Sequence, residues 1–154
     1  MLGRTYEDQV CSIARSLEVL GERWTLLVVR DALLGLRRFD QFQRSLGVAR
    51  NILTDRLGRL VTAGVLERIP YQERPVRHEY QLTPMGYELA VPIIGLMHWG
   101  DRHLADPAGP PRLTRHGTCG GKLRAALVCE KCDEPVSLSE LDVRPGPGLR
   151  TSGR

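Results

Sequence analysis

The sequence predicts an α+β fold, mainly α, on three observations. From Phe39 to Tyr80 the chain reads as helix, short turn, helix and β-hairpin. Strongly apolar segments at helical period flank this block on both sides. Beyond residue 112, one histidine and three cysteines mark a small second unit built on a β-hairpin. The order of the first block is that of a winged helix-turn-helix, and its surplus of apolar helix surface is best used in a dimer.

Each element has a local reason. Ser12–Leu20 carries Ile13, Leu17 and Leu20 on one face, with Ser12 available as N-cap and Gly21 as the stop. Residues 23 to 34 are apolar on most faces, which places that helix at the centre of the core, and residues 36 to 38 form a short strand. Residues 40 to 46 make the next helix, and Gly47 and Val48 make a turn of the length helix-turn-helix units use. Residues 49 to 62 then turn Ile52, Leu53, Leu57, Leu60 and Val61 inward and leave Arg50, Asn51, Thr54, Asp55 and Arg59 mainly on the other faces.

Gly64 stops that helix, and residues 65 to 69 and 77 to 82 form the hairpin around a turn at Glu73, Arg74 and Pro75. Thr83 caps a long apolar helix with Pro84 at its first position, running to about residue 104 and kinked by Pro92. Residues 1–105 are therefore expected as the winged, dimerising domain and 106–112 (beginning DPAGPP) as a linker. Residues 113–143 follow as a zinc-ribbon-like unit and 144–154 as a disordered tail.

Charge is concentrated where a polyanion would meet the fold. Residues 37 to 82 hold nine arginines against five acids, a net of +4, while the rest of the chain has 13 basic and 13 acidic residues. The chain's whole formal charge of +4 sits in that segment, where counterion release from a duplex would use it. Arginine supplies all but Lys122 and Lys131 of the 22 basic residues, which suits phosphate and guanine edges and also fits a GC-rich genome. No apolar leader and no apolar run long enough to span a bilayer is present, so the expectation is a cytoplasmic chain without membrane contact. No nucleophile motif, phosphate loop or paired carboxylates stand out, so an enzyme is not expected.

The chain over roughly residues 11 to 104 resembles the HxlR family of bacterial winged-helix transcription regulators, relatives of the MarR group. The resemblance rests on Cys11, Gly21-x-x-Trp24, Arg38-Phe39, Leu53-Thr54-x-Arg56-Leu57, Gly64-Val65-Leu66, Pro75, Glu79-Tyr80-x-Leu82-Thr83 and Trp99, in that order. It implies a homodimer built from the first and last helices and a one-component regulator on a palindromic double-stranded DNA operator. In one respect the chain departs from the family: Ala49 stands where members usually carry serine, so the recognition helix lacks a side-chain cap.

The candidate DNA-binding residues are Arg37, Arg38, Arg50, Asn51, Thr54, Arg56 and Arg59, with Arg74 and Arg77 on the wing. Each has a plainer reading as solvated surface charge, and Arg56 an alternative as an ion-pair partner of Asp55 or Asp40. Cys11 reads either as a small buried residue or as the oxidant-sensing thiol that some family members carry at this position. Trp24, Met97 and Trp99 are candidates for the small-molecule effector pocket that the resemblance implies, and equally for plain core. His116-x-x-Cys119 and Cys129-x-x-Cys132 are two knuckles nine residues apart, the ligand set of a structural Zn2+ site; a reduced or partly oxidised cysteine hairpin is the competing reading.

The leading function is a dimeric, sequence-specific regulator with its recognition helix in a major groove and its wing on flanking DNA. Two alternatives stand beside it. One is a sensor whose signal enters through Cys11 or the ribbon. The other is an interaction module that contacts the transcription machinery through the ribbon.

Overall fold

A computed structural model describes residues 5–6 and 9–149 and divides the chain into two compact units, Met1–Ala90 and Val91–Arg154. In the first unit the order is α1 (Ser12–Leu20), α2 (Thr25–Leu33), α3 (Phe39–Leu46), α4 (Arg50–Thr62), β1 (Leu66–Glu73), β2 (Val76–Leu82) and α5 (Pro84–Glu88). The second unit contains almost all of α6 (Ala90–His103), followed by β3 (Leu127–Val128), β4 (Pro135–Val136) and a 3₁₀ turn at Leu138–Glu140. The mainly α, α+β winged helix-turn-helix expected from the sequence is the fold observed.

The core of the first unit forms where three helices present apolar faces at the same period. Val28 and Val29 from α2, Phe42 from α3, and Leu53, Leu57 and Leu60 from α4 are all fully buried. Each such side chain contributes about 1.5–3 kcal/mol by leaving water. Helix α4 is anchored by its i, i+4 and i+7 leucines, so the opposite face is left to solvent. Gly47 adopts φ +62° between α3 and α4, and buried Val48 pins the turn to the core.

The wing is an antiparallel hairpin with Leu66 opposite Leu82 at its base and Glu73 opposite Val76 at its tip. Register shifts between Pro70 and Gln72, leaving Tyr71 without a cross-strand partner. Proline cannot donate to the ladder, which explains a bulge at this place. The short strand expected at 36 to 38 is a single bridge, Arg38 opposite Glu79, supported by Tyr80 N–H donating to Arg37 O at 2.7 Å. Thr83 closes the base: its hydroxyl donates to Gly64 O at 2.6 Å and accepts from Gly86 N–H at 3.1 Å, and Pro84 opens α5 as expected.

Several boundaries differ from expectation, among them the first hairpin strand, which runs to Glu73 rather than ending at residue 69. Cys11, not Ser12, is the N-cap of α1, and it makes no side-chain capping bond. Helix α2 begins at Thr25 because Trp24 takes the left-handed conformation at φ +79°, which ends the preceding turn two residues later than residue 23 would. The long helix expected from 84 to 104 is two helices broken at Leu89. Pro92 has no N–H for the Glu88 carbonyl, so the ladder stops one turn before the proline and restarts with Pro92 in the first turn of α6, where the missing donor costs nothing.

Among the described residues of the second unit, none is buried. The 106–112 segment has no helix or strand and is held locally by Asp106, whose carbonyl accepts from Gly109 N–H at 2.8 Å. Of the expected tail, residues 144–149 carry no helix or strand and residues 150–154 lie outside the described residues.

Candidate nucleic-acid interface

Helix α4 presents Arg50, Asn51, Thr54, Asp55 and Arg59 to solvent. The Arg50 guanidinium lies over the Phe39 ring, 4.9 Å from its centroid, so the first residue of α4 is held by the first residue of α3. Thr54 spends its hydroxyl on Arg50 O at 2.8 Å. Arg59 pairs with Asp55 at 3.1 Å, one turn away and largely exposed, a weak contact that a phosphate can displace. Ala49 occupies the N-cap with no side-chain bond, as its departure from serine implies, leaving the first amides of α4 open to solvent or an anion.

On the wing, Arg74 and Arg77 are exposed at the tip and flank Pro75 and Val76. Arg37, Arg50, Arg74 and Arg77 make no ion pair among the described residues, so these four cations are free for a polyanion. Arg38 is not free: it pairs with Glu79 at 3.4 Å and its guanidinium covers the Tyr71 ring at 4.7 Å. It fastens the wing to the N-terminus of α3, where Gln41 Oε1 accepts from the amides of Arg37 and Arg38 at 3.0 and 2.9 Å.

Arg56 takes its alternative as an ion-pair partner of Asp55, not of Asp40. Its side chain is only 13% exposed and lies inward, 3.3 Å from Glu22 and 3.4 Å from Asp55. It follows buried Leu53 by three residues and precedes buried Leu60 by four, which sets it on the core flank of α4. This sets it between α4 and the turn that connects α1 to α2. The roles of Phe39, Glu22 and Gln41 were not read from the sequence. Phe39 had a signal, an aromatic one helix before a solvent-facing arginine, whereas Glu22 had none.

The remaining candidates fall elsewhere. Cys11 is exposed rather than buried. Trp24, in the first unit, has the Arg23 guanidinium 5.6 Å from its ring; in the second, Trp99 packs on His103 at 5.3 Å and is half exposed, and Met97 is partly buried. His116 Nδ1 lies 3.1 Å from Cys119 Sγ. Cys129 Sγ accepts from the amides of Cys132 and Lys131 and from the Cys132 thiol, which lowers its pKa. The four donors thus stand as two pairs, and among the described residues no three His, Cys, Asp or Glu side chains are grouped as a metal ion would hold them. No described helix is long and apolar enough to cross a membrane.

Comparison with known proteins gives this geometry its family. The profile of the HxlR-like helix-turn-helix family matches residues 19–107. The chain is 46% identical over 139 residues to the HTH-type transcriptional regulator Rv3095 of Mycobacterium tuberculosis, covering 90% of this chain and 88% of that one. Among solved structures it is similar to PA1607, described as a candidate transcription factor (TM-score 0.78, 34% identity, 88% of this chain and 95% of that one). It is also similar to the redox regulator HypR in its reduced form (TM-score 0.57, 27% identity, 60% of this chain and 92% of that one). The chain belongs to the HxlR-like helix-turn-helix family and is a transcriptional regulator of the helix-turn-helix type.

Proposed function

We propose that the protein is a homodimeric regulator that binds a palindromic operator, laying α4 in the major groove and the β1–β2 wing on flanking DNA. The observation that carries this reading is that Arg50 on α4, Arg74 and Arg77 at the wing tip, and Arg37, whose carbonyl accepts from Tyr80 N–H of β2, are exposed and make no ion pair among the described residues. Asn51 and Arg59 complete the α4 face as donors to base edges or phosphates. Dimerisation is supported by apolar side chains that the chain itself leaves exposed: Ile13 at 70% and Leu17 at 38% on α1, and Val91 at 72% and Leu96 at 55% on α6. Two-fold symmetry then requires half-sites about 34 Å apart or a multiple of that.

The test is selection of bound genomic fragments by the purified protein, followed by salt titration on the recovered site. Replacing Arg50 and Arg77 by alanine should weaken binding by about 1–3 kcal/mol for each base-edge interaction removed, and should reduce the salt slope by about one for each phosphate no longer neutralised. Unchanged affinity and slope in the double variant would remove the assignment. Sedimentation showing a folded monomer at micromolar concentration would remove the dimer.

A second reading concerns signal entry. Exposed Cys11 at the start of α1, together with the likeness to a protein named as a redox regulator, supports a thiol-responsive input. Peroxide-dependent release of the operator by the wild type but not by Cys11→Ser is the result this reading requires.

A further inference from the structure

We propose that His116, Cys119, Cys129 and Cys132 bind one Zn2+ per chain in a closed structural site whose two halves are matching backbone knuckles. This goes beyond DNA binding and is independent of it. The first half begins at His116 and the second at Cys129, and they repeat one hydrogen-bond pattern. The first ligand's amide donates to the carbonyl five residues on, His116 to Gly121 at 2.8 Å and Cys129 to Glu134 at 3.0 Å. The residue after the second ligand donates back to the first ligand's carbonyl, Gly120 to His116 and Asp133 to Cys129, both at 2.8 Å. That same residue is left-handed in each, with φ +71° at Gly120 and +58° at Asp133. A left-handed aspartate is uncommon, so the second knuckle reproduces the first without the residue that makes it easy. Each knuckle is then closed by an antiparallel pair, Arg115 with Lys122 and Val128 with Pro135.

The side chains follow the backbone. In a tetrahedral zinc site with bonds of about 2.1–2.3 Å, neighbouring donors lie about 3.6 Å apart. His116 Nδ1 and Cys119 Sγ, at 3.1 Å, are already close to one edge of that figure. The other ring nitrogen, Nε2, faces Thr118 Oγ1 at 3.5 Å, the outer partner that a coordinating histidine uses to keep its free lone pair on Nδ1. Three sulfurs and one imidazole form a set suited to zinc, with no coordination position left for chemistry.

Something other than burial must hold this segment. From residue 113 to 143 no residue is buried, and Leu113, Leu127, Val128, Leu138 and Val143 are all at least half exposed. The sheet that spans it is two residues per strand. A segment of that size needs disulfides, a metal or a partner to hold it, and with its cysteines free the one-histidine, three-cysteine set fits the metal. Residues 123–126, which join the knuckles, have neither helix nor strand, so ion binding is the step that brings the two preformed pairs together.

The experiment is elemental analysis of the full chain purified without chelators, followed by exchange of the metal for Co2+. Equimolar zinc, and a cobalt spectrum showing thiolate charge transfer and tetrahedral d–d bands, is the expected result. His116→Ala and Cys132→Ser should each lower cobalt affinity by more than about 100-fold, beyond the loss that an outer-shell change causes. His116→Cys should retain equimolar zinc, and Cys11→Ser should leave the stoichiometry unchanged. The proposal is overturned by a zinc content near zero in folded wild-type protein, by one zinc per two chains, or by a Cys129–Cys132 disulfide in place of metal. The wild-type measurement decides the matter even where a variant fails to fold.

Discussion

Arg56 Nη1 on the recognition helix lies 3.3 Å from Glu22 Oε2, in the turn between α1 and α2. The two are near enough for an ion pair but not aligned for a hydrogen bond, and Nε and Nη1 of Arg56 have no hydrogen-bond partner among the described residues. The arginine therefore acts as a packed strut whose stem fills space beside the core. Arg56→Ala should lower unfolding free energy by about 1–3 kcal/mol in denaturant titration. Arg56→Met should be close to neutral in stability and leave operator affinity intact, because an apolar isostere removes the cost of burying the charge. A Met variant with unchanged stability but much weaker DNA binding would return Arg56 to the interface.

Phe39 positions Arg50. Removing the ring keeps the charge but frees the guanidinium, so Phe39→Ala should weaken operator binding by about 0.5–1 kcal/mol, the size of an exposed cation–π contact. The double variant with Arg50→Ala should bind no worse than Arg50→Ala alone, since both changes act through one contact. Additive losses in that cycle would show that Phe39 acts elsewhere.

Asp31 is 1% exposed and its Oδ1 accepts from Arg30 Nε at 2.9 Å and Nη2 at 2.7 Å, while Oδ2 has no partner among the described residues. Arg30→Ala would leave a buried carboxylate unpaired at the centre of the first unit. The expected cost is about 3–5 kcal/mol, read as a shift in the unfolding midpoint. The paired change Arg30→Ala with Asp31→Ala should recover part of that loss.

Ala49 stands at the N-cap of α4 with extended backbone at φ −60°, ψ 143° and no capping bond. Ala49→Ser places a hydroxyl where it can accept from an amide of the first turn. Stability should rise by about 1 kcal/mol in thermal unfolding, with the fold unchanged. No increase would mean that these amides already have partners.

The order of elements was legible in the sequence because local signals agreed with one another. Leu53, Leu57 and Leu60 recur at helical period, Gly47 and Gly64 stand where helices stop, and Thr83-Pro84 opens a helix; all of these positions act in the structure as their chemistry dictates. The wing arginines were legible for the same reason, since a turn at Pro75 leaves its neighbours in solvent. The two knuckles could be counted in the sequence, but their shared backbone pattern could not, because Asp133 carries no glycine signal for a left-handed residue.

By itself, the sequence determined the order from the first helix to the hairpin, the net +4 of the winged segment and the family. Each of these depends on residues close in the chain or on composition. Only the tertiary structure decided which arginines are free. Arg38 meets Glu79 and Tyr71, and Arg56 meets Glu22, across separations of more than 30 residues that no periodicity encodes. It also decided that the last apolar segment is two helices, where Pro92 denies a hydrogen bond to the turn before it rather than bending the chain at its own position.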